Sequence, residues 1–218
     1  MKTVLITGIS RGIGKALAKK FLDNGDFVVG TSTTGIVNLK HENLRVLQLD
    51  LSKPLSIRQC AEKIIGLNKK IDIFINNAGI GAGVEDEVVI RPERLRRVLE
   101  VNVIGTADFI EQLISAVNQD GHIINISSRA GSLNHVHEAN YPDYKISKTA
   151  LNMVTKIFAI RLKGKATVSS VHPGWVKTDM GGVNADMEPS EAAEHIFKLA
   201  NASVETGQFW FKDEKFPW

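Results

Sequence analysis

The stretch "TVLITGISRGIG" (residues 3–14) says most about how this chain folds. Its first five residues are mostly apolar and β-branched, which is typical of a buried strand. A glycine-rich turn follows and runs into "GIGKALAKKFLDNG" (12–25), where Ile13, Leu17, Phe21 and Leu22 recur at helical spacing before Gly25. A strand, a glycine loop and a helix in this order predict the first half of a βαβ unit.

The rest of the chain repeats this alternation. Six further apolar runs lie at 26–32, 44–50, 71–76, 122–127, 166–171 and 207–211, and several are apolar at consecutive positions. That pattern is typical of parallel strands covered on both faces. The longest helical stretches are 92–117 and 142–163, each opening with proline, while 33–43 predicts a loop or a short distorted helix. We therefore expect one α/β domain over 1–218, with a doubly wound parallel sheet of about seven strands flanked by helices.

The composition is that of an ordinary soluble globular protein. The 218 residues are 43% hydrophobic and 23% charged, with a net charge of +3 and no long run of basic residues. These values say little about nucleic acid or an anionic membrane, and neither is expected as a partner. We find no signal peptide and no apolar stretch long enough to span a bilayer, and the single Cys60 excludes an intramolecular disulfide. A cytoplasmic location is expected.

The glycine loop predicts a dinucleotide site. Gly8, Gly12 and Gly14 suit a tight turn, close backbone approach and close helix packing, and the following helix offers its N-terminal N–H groups to a pyrophosphate. A packing turn without ligand is the less favoured alternative. The second strand ends in "GTSTTG" (30–35) without the carboxylate typical of NAD enzymes, and Arg11 could bind a 2′-phosphate. NADP(H) is therefore preferred, with NAD(H) left open.

The two tyrosines of the chain each precede a lysine by four residues. A phenol can exchange protons near neutral pH only if its pKa, about 10 in isolation, is lowered, and an ammonium one helical turn away would lower it. Pro142 favours the second pair, because the residue before a proline is pushed out of the helix. Tyr141 and Lys145 would then not share a helical face, whereas Tyr144 and Lys148 would.

Polar residues near this pair complete the candidate site. Ser127 and Ser128 end a predicted parallel strand, where α/β proteins bind ligands, and either could donate a hydrogen bond to a carbonyl oxygen. Asn102 is a polar residue in a largely apolar helical stretch, which is also typical of a satisfied core amide. The segment "HVHE" (135–138) could hold a metal, but solvated or substrate-facing histidines are favoured and no metal site is predicted.

Five motifs in this order carry a resemblance. "TGISRGIG" (7–14), "NNAG" (76–79), "INISS" (124–128), "YKISK" (144–148) and "HPGWVKTDM" (172–180) resemble the short-chain dehydrogenase/reductase family from Lys2 to about Met180. The ending "GQFWFKDEKFPW" and the long interval between serine and tyrosine resemble its small carbonyl reductases and C-factor-like proteins. The resemblance implies a Rossmann-type fold.

The resemblance also implies roles for four catalytic residues. Tyr144 would exchange the proton of the carbonyl oxygen, and Ser128, the second serine of "ISSxxG", would hydrogen-bond that oxygen. Lys148 would lower the tyrosine pKa and bind the nicotinamide ribose, while Asn102 would support a proton-relaying water. Asp50 and Leu51 would contact adenine, residues 77–79 would line the adenosine ribose, and residues 176 and 178 would meet the carboxamide. The full cofactor-binding set is Gly8, Ser10, Arg11, Gly12, Ile13, Gly14, Thr33, Asp50, Leu51, Asn77, Ala78, Gly79, Tyr144, Lys148, Val176 and Thr178.

The expected activity is NADP(H)-dependent reduction of an aldehyde, ketone or quinone, with Tyr144 as proton donor. A non-catalytic NADP(H)-binding sensor or a C-factor-like signalling protein is the alternative. A short substrate loop at about 180–189, near Trp175, Met180 and Val183, predicts an open and partly apolar cleft. Ser128 and Tyr144 lie 16 positions apart, longer than the family pattern, which predicts an altered pocket mouth. A homodimer through the two long helices is expected.

Overall fold

The fold is built on one eight-stranded sheet, described here from a computed structural model that covers residues 1–81 and 88–218. The strands stand in the order β3-β2-β1-β4-β5-β6-β7-β8, and each pair is parallel except β7 with β8. Their bounds are β1 Thr3–Ile6, β2 Phe27–Ser32, β3 Leu44–Gln48, β4 Ile71–Asn76, β5 Val117–Ile126, β6 Ala166–His172, β7 Gln208–Phe211 and β8 Glu214–Lys215. The predicted doubly wound sheet is confirmed. The eighth strand, only two residues long, is too short to leave a periodic signal in the sequence.

Side chains of the central strand alternate between two hydrophobic layers. Val4 and Ile6 pack with Leu17 of the first helix on one face, whereas Leu5 packs with Phe109 on the other. All of these side chains are fully buried. Because β1 pairs with β2 on one side and β4 on the other, neither of its edges meets solvent, which explains its uninterrupted apolar run.

Six α-helices in the described part of the chain cover the sheet. Their bounds are α1 Gly12–Asp23, α2 Pro54–Ile65, α3 Pro92–Leu99, α4 Thr106–Leu113, α5 Pro142–Arg161 and α6 Pro189–Asn201. Buried residues of α1 and α6 join one apolar cluster, and those of α2, α4 and α5 join the other, so the helices form two layers. Segment 33–43 is a loop, and none of the helices in the described residues is long and apolar enough to cross a bilayer.

The helix expected over 92–117 is wrong as a continuous element. A π-helix, Glu100–Gly105, separates α3 from α4, and Val117 already belongs to β5. Two contacts accompany the wider turn. A side chain at Gly105 would meet the Leu51 carbonyl oxygen at 2.0 Å, and the Asn102 side chain is hydrogen-bonded to the loop after β4. Short π-helical turns inside α-helices are frequent at functional sites.

The core also contains an uncharged histidine. His122 on β5 is 5% exposed and its Nε2 hydrogen-bonds Ser169 Oγ on β6 at 2.9 Å. Burial lowers the pKa of His122 to about 4, from an ordinary value of 6.5. The folded protein therefore keeps this imidazole neutral across a pH range in which the unfolded chain protonates it.

We expect His122 to make the protein less stable as the pH falls. Between pH 6.5 and about 4 the unfolded chain binds a proton that the folded chain does not, so the free energy of unfolding drops by up to about 3 kcal/mol. Urea denaturation at pH 7.5 and 4.5 should show a smaller drop for His122→Gln than for the wild type. His41→Gln, an exposed histidine, is the matched control and should behave as the wild type does. Equal drops for all three proteins would contradict the assignment.

Candidate active site

The candidate site lies at the carboxyl ends of the parallel strands, where open α/β sheets bind ligands. The glycine loop follows β1, "NAG" (77–79) follows β4, and Ser127 and Ser128 follow β5. The sheet order places β1, β4 and β5 side by side, so these three turns meet at one edge. The sequence motifs that are far apart in the chain thus converge.

The glycine loop is held by the chain that follows β4. The Asn77 side-chain amide donates to the Thr7 and Gly8 carbonyl oxygens, at 2.9 and 3.1 Å. The backbone N–H groups of Asn77 and Ala78 donate to Thr7 Oγ1 at 3.0 and 2.9 Å. A Cβ at Gly14 would lie 2.2 Å from the Gly8 oxygen, so this position has no room for a side chain. Thr7, which sequence reasoning missed, is buried in the structure. The sequence could have indicated it as the polar residue directly after an apolar strand.

The loop and the start of α1 fit a pyrophosphate. Gly8 and Gly12 have φ values of 74° and 55°, which favour glycine, and Ser10 and Ile13 lie between and after them. Arg11 is the N-cap residue of α1, and no side chain caps the helix there. The first N–H groups of the helix are therefore open to an anion, and its dipole is favourable.

Several polar side chains in the region expected to bind adenosine form hydrogen bonds within the protein. Asp50 accepts hydrogen bonds from the hydroxyl and the backbone N–H of Ser52. Both bonds lower the pKa of Asp50, and the bond from the hydroxyl has the larger effect. Leu51 is buried, and Ser32 donates its hydroxyl to the Ile36 carbonyl oxygen. Thr33 is exposed at the end of β2. The adenine contacts of Asp50 and Leu51 stay a prediction.

Tyr144 and Lys148 lie within α5, as the proline argument predicts. Tyr141 is the N-cap residue, with φ 51° and ψ 45° in the left-handed region. Lys145 donates from Nζ to the Glu138 carbonyl oxygen and to Asn140 Oδ1, each at 2.6 Å, so its ammonium is bound by the preceding loop. Lys148 Nζ, in contrast, lies 5.5 Å from the centre of the Tyr144 ring.

The direction expected for the Tyr144 pKa is wrong in this structure. Desolvation by the surrounding protein raises it to about 12, and a hydrogen bond with Ser128 lowers it by less. Burial likewise lowers the pKa of Lys148 to about 8. Lys148 is 6% exposed, and its ammonium donates to the Ile126 carbonyl oxygen at 2.8 Å instead of contacting the phenol oxygen. Tyr144 is therefore a protonated phenol at neutral pH.

The two serines after β5 have different surroundings. Ser127 is buried and donates its hydroxyl to the Lys148 carbonyl oxygen at 3.3 Å, which ties the end of β5 to α5. Ser128 is half-buried, accepts from the Ala130 N–H at 3.1 Å and interacts with Tyr144, which lowers the pKa of the phenol. This geometry favours Ser128 over Ser127 as the serine that meets a ligand.

Asn102 holds the loop after β4 from the π-helix. Its side-chain amide donates to the Ile80 carbonyl oxygen at 2.9 Å and Ser147 Oγ at 3.1 Å, and its Oδ1 accepts from the Ile80 N–H at 2.8 Å. A Cβ at Gly79 would lie 3.1 Å from Asn102 Oδ1 and 3.7 Å from Lys148 Nζ, so these groups are neighbours. Its predicted role with a proton-relaying water stays a prediction.

The segment after β6 returns to the glycine loop. A Cβ at Gly12 would lie 3.1 Å from Thr178 Cγ2, and Arg11 Nε pairs with Asp179 at 3.1 Å. Val176 is buried and bridges Met187, which closes the base of the predicted substrate loop. Residues 180–188 contain no helix, and Met180 and Val183 are exposed on this short loop, as is Trp175 just before it.

A cavity of about 430 Å³ has Arg129, the residue after Ser128, in its wall. Trp175, near which the sequence predicted a cleft, also lines it, but the aromatic residues that complete the wall were not foreseen. Its lining is largely aromatic and is formed by Arg129, His135, His172, Gly174, Trp175, Asp186, Met187, Phe211, Lys212 and Phe216. The long segment between Ser128 and α5 contributes His135 and thereby shapes the mouth. Within the described ranges no group of three or more metal-ligating side chains comes together, and His135 stacks on Phe216 at 4.6 Å.

Comparison with known proteins agrees with this geometry. The family model described as short chain dehydrogenase matches residues 2–189. A 3-oxoacyl-[acyl-carrier-protein] reductase of Aquifex aeolicus is 32% identical, over 89% of this chain and 82% of that protein. Carbonyl reductase [NADPH] 1 of Mus musculus is 28% identical, over 98% and 97%. A solved short-chain dehydrogenase/reductase structure from Burkholderia multivorans, with bound NADP, superposes with a TM-score of 0.91 at 27% identity, over 100% and 99%.

Proposed function

This chain belongs to the short-chain dehydrogenase family, a family of oxidoreductases, and we propose that it is an NADP(H)-dependent carbonyl reductase. Its substrates would be small or exposed aldehydes, ketones or quinones. The observation that carries the proposal is the convergence of Ser128, Tyr144 and Lys148 beside the glycine loop, at the carboxyl ends of the strands. Carbonyl reductase [NADPH] 1 of Mus musculus and the 3-oxoacyl reductase of Aquifex aeolicus support the reaction class.

The chemistry assigns one step to each side chain. NADPH supplies the hydride that reduces the carbonyl carbon when it is bound. Ser128 hydrogen-bonds the carbonyl oxygen as negative charge builds on it, and Tyr144 delivers the proton that completes the alcohol. The phenol carries its proton at neutral pH, as a donor must, and its raised pKa makes it a weak acid until negative charge develops on the carbonyl oxygen. The Lys148 ammonium, 5.5 Å from the ring, stabilises the phenolate left after transfer.

The preference for NADP(H) rests on the charge around the glycine loop. Arg11 is exposed at the start of α1, and β2 ends at hydroxyl residues with Thr33 exposed and no carboxylate. We propose that Arg11 leaves Asp179 to bind the 2′-phosphate, since their ion pair is solvent-exposed and therefore weak. The bound NADP of the Burkholderia multivorans structure is consistent with this choice.

We further propose that residues 1–218 act as one domain, with 180–189 as the substrate loop, and that two copies pair through α5. The outer face of α5 exposes Met153, Ile157 and Ile160, whereas Phe158 is buried against the sheet. A contiguous exposed apolar face of this kind is typical of a protein interface.

Tyr144→Phe should abolish turnover while the protein still binds NADPH. The change removes the proton donor but leaves the ring, so kcat for a carbonyl panel should fall at least about 100-fold. NADPH oxidation measures turnover, and cofactor fluorescence measures binding. Tyr141→Phe is the matched control and should keep its activity. An active Tyr144→Phe with a dead Tyr141→Phe would overturn the assignment, and normal NADPH binding without turnover by the wild type would favour the sensor alternative.

Arg11→Gln should raise the KM for NADPH about tenfold and leave the KM for NADH nearly unchanged, because only the 2′-phosphate loses a charged partner. Asp179→Asn is the complementary variant. It frees Arg11 and removes a nearby negative charge, so the KM for NADPH should stay equal or fall. Initial rates with both cofactors provide the measurement. If Arg11→Gln weakens NADH as much as NADPH, the guanidinium is not the phosphate ligand.

Ile157→Lys should convert a dimer into a monomer, because a charge on the 48% exposed Ile157 would be buried in the α5 interface. Light scattering coupled to gel filtration gives the mass of each species. Leu55→Lys, at an exposed apolar residue of α2, is the control and should leave the mass unchanged. A monomeric wild type would contradict the dimer.

A further inference from the structure

The cavity that contains Arg129 in its wall has aromatic and positively charged surfaces that the proposed reaction alone does not explain. It stands at the carboxyl ends of β6 and β7, and β6 is joined to the active-site strand where the Ser127 N–H donates to the Val171 carbonyl oxygen at 2.8 Å. Arg129, directly after the proposed catalytic serine, forms part of its wall. The wall of the cavity therefore includes the residue that directly follows the proposed catalytic serine.

The walls of the cavity are stacked rings. His172 stacks on Phe211 with centroids 4.7 Å apart and an interplanar angle of 24°, and His135 stacks on Phe216 at 4.6 Å with the same angle. Trp175, 49% exposed, adds a further ring just before the substrate loop. Flat surfaces of this kind favour a planar, conjugated ligand over a bulky aliphatic one.

The charge in the cavity is predominantly positive. Arg129 and Lys212 line it, and within the part of the chain that the structure describes neither forms an ion pair. Asp186 is the one carboxylate among the described lining residues. The pKa of His172 is lowered to about 4, mainly by burial and to a smaller extent by electrostatic interaction with Arg129 and His135, which is consistent with a positive local field. His172 Nδ1 accepts from the Gly174 N–H at 3.3 Å, so the neutral ring carries its proton on Nε2.

We propose that this cavity selects planar aromatic aldehydes and ketones that carry a carboxylate, and that Arg129 binds the carboxylate. This inference rests on the proposed carbonyl reductase activity and deepens it. The guanidinium supplies the fork of donors that matches a carboxylate, and the stacked rings hold the conjugated part of the substrate. Ser128, one residue earlier, then meets the carbonyl oxygen at the other end of the molecule.

Two substrates that share the aromatic aldehyde, one with a carboxylate and one with its neutral methyl ester, test the inference. The wild type should reduce 4-carboxybenzaldehyde with a kcat/KM about tenfold higher than methyl 4-formylbenzoate. Arg129→Gln should remove this preference by lowering kcat/KM for the acid while leaving the ester unchanged. Arg58→Gln, which removes an exposed arginine on α2, is the matched control and should keep the wild-type ratio. Succinic semialdehyde, an anion without a ring, should be reduced more slowly than 4-carboxybenzaldehyde.

A binding measurement separates failure of the inference from failure of the proposed function. Benzoate and benzamide are not reduced, and calorimetry should show that the wild type binds benzoate about tenfold more tightly and that Arg129→Gln binds both equally. If no carbonyl compound is reduced but this difference appears, the reductase proposal fails and the anion site stands. If benzoate and benzamide bind equally, or acid and ester react equally in the wild type, the inference is overturned.

Discussion

The site depends on a backbone contact that only glycine permits. Gly14, in the first turn of α1, lies so close to the Gly8 carbonyl and to the Asn77 amide that a Cβ would approach them to 2.2 and 2.4 Å. This contact brings the N-terminus of α1 against the ends of β1 and β4, and Asn77 and Thr7 then fix the loop by four hydrogen bonds. The same groups that resemble cofactor ligands in the sequence are therefore also the supports of the loop. A preformed loop needs little further ordering when a pyrophosphate binds.

A second set of buried polar contacts fixes α5 to the sheet. Lys148 donates to the Ile126 carbonyl, Ser127 donates to the Lys148 carbonyl, and Asn125 donates to Thr155 at 2.9 Å. These bonds all join β5 to α5. These bonds fix the position of Tyr144 on the helix relative to Ser128 after the strand. Neither sequence motif alone determines that position. Because each group is buried, loss of one partner would leave the other unsatisfied at a cost of about 1 to 3 kcal/mol.

The sequence predicts those features that depend on local pattern. Seven strands, the end of α1 before Gly25 and the position of Tyr141 outside α5 all follow from apolar runs, glycine and Pro142. The π-helix could not be predicted, because it depends on the distant contacts of Gly105 with Leu51 and of Asn102 with Ile80. The wall of the cavity was missed for the same reason, since it joins rings from four separate segments. Residues that meet only in the folded structure produce no periodic pattern within any one segment of the sequence.

The pKa of Tyr144 shows why a correct motif can carry a wrong energetic expectation. Spacing places Lys148 one turn from the phenol, but it does not say which oxygen the ammonium contacts or how much water remains. In this structure the Ile126 carbonyl holds the ammonium, and desolvation outweighs its attraction for the phenolate. A tyrosine in that state is an acid that keeps its proton until charge develops on an acceptor oxygen.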